Sequence, residues 1–141
     1  MLNDVLERCN TIEESYEFML AYAAQGLPTD GNSPSGSQIR EFLNRAVKAI
    51  AGLKQSCAET VSEQHLEPGE RYEAFLAVVD RDARDSLAAI ELVLAQPTIS
   101  SQLIDNLNAS IHLRALLTDL FLLGDILNQH QQASAQSRAA G

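Results

Sequence analysis

The chain has no tryptophan, and Phe and Tyr together make up only 5% of its 141 residues. An interior built from it must therefore be aliphatic. Cysteine is equally scarce. Cys9 and Cys57 are far apart and form no C-x-x-C pair, which excludes a disulfide framework, a cysteine zinc site and C-x-x-C-H haem attachment as sequence-level readings. Each lies within an apolar helical stripe, where a free thiol acts as a small hydrophobe.

Basic residues are few. Ten Lys and Arg stand against nineteen Asp and Glu, for a net charge of −9. Nonspecific binding to DNA or RNA requires cations to neutralise phosphates, so no nucleic-acid partner is expected. An anionic membrane surface is disfavoured for the same reason.

Long hydrophobic runs are missing too. The richest stretch, Leu113 to Leu127, is interrupted by Arg114, Asp119 and Asp125 and falls short of the ~20 apolar residues that span a bilayer. The opening residues Met1-Leu2-Asn3-Asp4 lack the basic and apolar regions of a signal peptide. The expected location is cytoplasmic.

Catalytic signatures are absent as well. There is no Walker A loop, no G-x-G-x-x-G after a strand pattern and no G-x-S-x-G elbow. Asp30-Gly31-Asn32 lacks the acidic spacing of a calcium loop. Helical di-iron sites use Glu-x-x-His pairs. Ser62, Ala109 and Leu127 stand three residues before His65, His112 and His130, so that motif is missing. No metal and no cofactor are expected, and the chain reads as noncatalytic.

What remains is helical periodicity. Leu2, Val5, Leu6, Cys9, Ile12, Tyr16, Met19, Leu20 and Ala23 predict a first helix from about residue 2 to residue 25, stopped by Gly26 and Pro28. Thr11 and Glu14 resemble a capping box, which leaves open a break near Asn10. Residues 27–36, LPTDGNSPSG, read as a long loop. A second helix is expected from Ser35 or Ser37 to about Gln64, with Ser35 and Gln38 as its capping box. Arg40, Arg45, Lys48 and Lys54 balance the four acids of residues 37–67, which suits packing beside an acidic neighbour. A third helix is expected from Pro68 to Ala95, stopped by Pro97, and a fourth from about Ile99, capped by Thr98 or Ser100, to Asn128. Residues 129–141, QHQQASAQSRAAG, carry no apolar pattern and read as a flexible tail. The expectation is one all-α domain over residues 1–128, an antiparallel up-down-up-down four-helix bundle with a long loop between helices 1 and 2.

The fourth helix carries more apolar side chains than one buried face needs. Leu103, Leu107, Ile111, Leu113, Leu116, Leu117, Leu120, Phe121, Leu123 and Leu127 cover much of its circumference. Asp105, His112 and Asp119 share a polar face at seven-residue spacing, which gives way to Leu122 and Ile126. Ligands seven apart lie ~10 Å apart along a helix axis, too far for one metal ion. A helix apolar nearly all round is buried on more than one side. Two readings follow: it is the central helix of the monomer, or its C-terminal half is an interface. The interface is expected, formed by Leu116, Leu120, Leu122, Leu123, Ile126 and Leu127, and used in a homodimer or for another protein. His112 and Asp119 would then be pH-sensitive contacts. The expected function is a noncatalytic interaction protein: an adaptor, chaperone or regulatory subunit. The alternative is a bundle binding a small molecule in an apolar interhelical cavity, with Tyr16, Tyr22, Tyr72 and His112 supplying polar contacts.

Overall fold

Helical periodicity is realised along almost the whole chain in a computed structural model that describes residues 2–140. Among the described residues there are six helices and no strands: α1 (Leu2–Ala24), α2 (Pro34–Ala51), α3 (Leu53–Glu63), α4 (Gly69–Leu94), α5 (Ser101–Ala109) and α6 (Ile111–Ala140). The chain is all-α, but six helices replace the expected four. Two of the expected helices are each divided.

α1 is continuous. Val5, Cys9, Ile12, Ser15, Met19 and Tyr22 are its buried positions, at steps of three and four that keep one face inward. Thr11 does not cap a new helix. Its hydroxyl donates to the Glu7 carbonyl one turn back, at 3.0 Å, a bond that leaves the helix intact. Gly26 ends α1 at φ 67°, the left-handed conformation that favours glycine there.

The second expected helix starts two residues early and breaks once. Ser33, not Ser35, is the N-cap: its Oγ accepts from the Gly36 amide at 2.9 Å, with Pro34 in the first turn. The break falls at Gly52. It leaves the last carbonyls of α2 without helical partners, and Arg8 of α1 supplies them. The Arg8 guanidinium donates to the Lys48 and Ala49 carbonyls at 3.1 and 3.2 Å. A Cβ at position 52 would lie 2.6 Å from that guanidinium, so glycine makes room for the arginine. Asp4 orients it, accepting from Arg8 Nε at 2.9 Å and from Ser56 Oγ at 2.5 Å. The Ser56 hydroxyl, then Arg8, hold the Asp4 carboxyl below its ordinary range.

α3 ends through His65, at φ 51°, and Pro68 precedes the first turn of α4. The fourth expected helix is divided at Ser110, whose extended backbone separates α5 from α6. Ser100 caps α5, accepting from the Leu103 amide at 3.0 Å. Just before the break, Asn108 is buried, and its Nδ2 donates to the Met19 carbonyl of α1 at 3.1 Å.

α1 and α4 each pack against α2, α3, α5 and α6. One hydrophobic cluster draws on all six helices. Cys9 and Cys57 lie within it as free thiols, and burial pushes them up to about 11 and about 12. Unreactive packing thiols are the physical consequence.

The long loop is pinned. Tyr22, fully buried, donates its hydroxyl to the Ile99 carbonyl at 2.6 Å. Leu27 exchanges two hydrogen bonds with Ser101, both at 2.8 Å. Asp30 accepts from the Ile99 amide and from Arg40 Nε, and Arg40 also donates to the Leu94, Gln96 and Pro97 carbonyls at the end of α4. Burial pushes Asp30 up, yet the bonds from Ile99 and Arg40 outweigh it and the carboxyl stays below its ordinary range. Residues 129–140, expected as a flexible tail, continue α6 as helix, with side chains 128–138 exposed. Gly141 lies outside the described residues.

Candidate functional site

α6 is the helix whose sequence offers more apolar surface than one packing face consumes, and the structure divides that surface in two. Leu113, Leu116, Leu117, Leu120, Leu123 and Leu127 are all buried. α6 packs on α4, α1 and α5, so a broad arc of it faces protein. Four of the six expected interface residues, Leu116, Leu120, Leu123 and Leu127, thus fill the chain's own core and offer no outward surface. Neighbours on three sides bury a wide arc, as for a central helix, and leave a narrower apolar stripe outside.

That stripe is the candidate site. Ile111, Ala115, Thr118, Leu122 and Ile126 follow one another at steps of four, three, four and four, so they share one face of α6. Ile111 is 74% exposed and Leu122 51%, while Ala115 and Ile126 are half-buried. Phe121, 60% exposed, lies on the flank toward α1, where it borders a depression shared with Leu6, Cys9 and Glu13. Ala109, Ile111, Arg114, Ala115 and Thr118 line a shallow depression of about 390 Å³ at the upper end of the stripe. Arg114 and Asp125 are exposed beside it, and among the described residues neither forms an ion pair.

The opposite flank of α6 meets α4 along a polar seam. Tyr72 Oη lies 3.1 Å from His130 Nε2, Asp82 lies beside Asp119, and Asp85 Oδ2 lies 3.7 Å from His112 Nδ1. Numbers rise along α4 as they fall along α6, so the two helices run antiparallel. Asp119 Oδ2 is buried without a hydrogen-bond partner. Burial, then the neighbouring Asp82 carboxyl, pushes Asp119 up to about 7. Like carboxylates in contact cannot both ionise cheaply, so the pair retains a proton near neutral pH. The sequence placed His112 and Asp119 on one face. It carried no signal that their partners would be Asp85 and Asp82.

The residues proposed for a small-molecule site do not converge. The Tyr22 hydroxyl is consumed by Ile99, Tyr72 faces His130, His112 faces Asp85, and Tyr16 packs partly buried against the core. Among the described residues, no three His, Cys, Asp or Glu side chains gather as a metal ion requires, and no helix is long and apolar enough to cross a membrane. Compared with known protein families, curated proteins and solved structures, the chain shows no match, so the chemistry of the α6 face is the basis for reading its function.

Proposed function

We propose that the protein is a noncatalytic interaction protein, an adaptor, chaperone or regulatory subunit, that forms a homodimer through the outer face of α6. The supporting observation is the stripe from Ile111 to Ile126: two large aliphatic side chains more than half exposed on one helix face. Solvating a leucine rather than burying it forgoes about 1.5–3 kcal/mol. Contiguous exposed apolar surface of this kind marks interaction sites. In this reading α1, α2 with α3, α4, and α5 with α6 act as four rods, two of them bent, and α6 presents its free side to the partner. Its place of action is the cytoplasm.

The test is the mass of the protein in solution, measured by sedimentation velocity with circular dichroism as a fold control. Leu122→Asp with Ile126→Asp is expected to give a folded monomer from a dimeric wild type. A double variant that keeps the wild-type mass would sink the reading.

A further inference from the structure

We infer that the occupant of the α6 face is the α6 of a second copy, packed antiparallel about a twofold axis and held in register by paired Arg114–Asp125 contacts. This rests on the interaction reading above and specifies the geometry and chemistry of the contact.

The inference comes from the symmetry of the face itself. A twofold axis perpendicular to a helix places residues equidistant from the axis opposite one another. Ile111 and Ile126 are equidistant from a point between Thr118 and Asp119, and so are Ala115 and Leu122. Arg114 and Asp125 are equidistant from a point between Asp119 and Leu120, offset by one residue, or ~1.5 Å. The apolar pattern and the charge pattern therefore share nearly one centre.

Size and charge agree with that centre. Ile111 meets the partner's Ile126, aliphatic on aliphatic. Leu122 meets the partner's Ala115, the small residue in the depression also lined by Ile111, Arg114 and Thr118. A large side chain thus faces a recess, not another large side chain. Thr118 lies at the axis, where a small residue allows close approach. Arg114 and Asp125 are eleven residues apart, close to three full turns, so both lie on the same flank of the stripe. Antiparallel pairing brings that flank of one copy against the same flank of the other and forms two opposite-charge pairs. A parallel pairing sets this flank against the partner's opposite flank, so neither Arg114 nor Asp125 meets its opposite charge. Neither residue is committed to another ion pair among the described residues.

The experiment uses charge reversal on the full chain. Arg114→Glu and Asp125→Arg are made singly and studied alone and mixed in equal amounts, by sedimentation equilibrium and native mass spectrometry, with circular dichroism confirming that each is folded. Alone, each variant sets like charges opposite one another twice and is expected to self-associate on the order of tenfold more weakly than wild type. Mixed, the two complement each other and are expected to form a mixed dimer in preference to either homodimer. A wild-type dimer that Leu122→Asp disrupts, but that neither reversal weakens and whose variants show no preference for the mixed pair, overturns this arrangement and leaves the interaction reading standing. A wild type that is monomeric throughout the concentration range overturns the second copy as occupant. A dimer untouched by Leu122→Asp as well overturns both.

Discussion

Asp119 of α6 lies beside Asp82 of α4 where the two helices pack. The pairing of two carboxyls is tolerated only while the pair keeps a proton. It makes this acidic chain sensitive to pH in a range where most carboxylates have finished titrating.

The sign follows from linkage. Asp119 is pushed up to about 7 from an ordinary 3.8, so between those values the folded state holds more protons than the unfolded one. Stability from this site is fully present below about pH 4 and is lost as pH rises to about 7. Solvent screening of a partly exposed pair brings the loss to about 1–2 kcal/mol. Asp30, held low by Ile99 and Arg40, acts oppositely: its contribution is present above about pH 4 and fades as the solution is acidified. Urea unfolding across pH 3–8 is expected to show a maximum on the acidic side of neutrality. Asp119→Asn, which mimics the protonated carboxyl, is expected to flatten the decline from pH 5 to 8. An unchanged slope in that variant would assign the decline to another group.

Arg8 and Gly52 form a second coupled pair, since the arginine occupies the space a Cβ at position 52 would take. Arg8→Met leaves the Lys48 and Ala49 carbonyls without their donors and is expected to cost about 1–2 kcal/mol. Gly52→Ala in that background gains about 0.5–1 kcal/mol from lower unfolded-chain entropy. In the wild type the same substitution displaces Arg8 and is expected to gain less or to destabilise. A double-mutant cycle by chemical denaturation reads the coupling directly, and additive effects would refute it.

Tyr22 is a buried tie between α1 and the segment leading into α5. Tyr22→Phe keeps the ring and strands the Ile99 carbonyl, at an expected cost of about 1–3 kcal/mol. The urea midpoint should fall with the m-value unchanged. A midpoint equal to wild type would mean that water or another donor takes over the carbonyl.

The fold was legible in the sequence wherever local chemistry decides it. Val5, Cys9, Ile12 and Met19 on the buried face of α1, the Gly26 stop, the Ser100 cap and the extent of α4 all follow from side-chain period and terminus preferences, whereas Leu20, expected in that stripe, is exposed and Tyr22 is buried in its place. The break at Gly52 had a visible signal, an isolated glycine within a helical pattern. Its reason, the Arg8 guanidinium, comes from a residue 44 positions away. The break at Ser110 carries neither glycine nor proline, and the buried Asn108–Met19 bond beside it is a tertiary contact. The candidate site was half legible. Leu122 and Ile126 were expected outside and are at least partly so, while Leu116, Leu120, Leu123 and Leu127 are inside.

Sequence by itself determined that the chain is helical, acidic, aliphatic in its interior and free of recognisable catalytic motifs. Those properties depend on residue type and on spacing within one helix, and both are local. Tertiary structure alone decided which arc of α6 is covered, which acid meets Asp119 and that α5 and α6 part at Ser110. Each of these depends on neighbours brought in from distant parts of the chain, and a helical repeat does not say which of its apolar faces a neighbour will take.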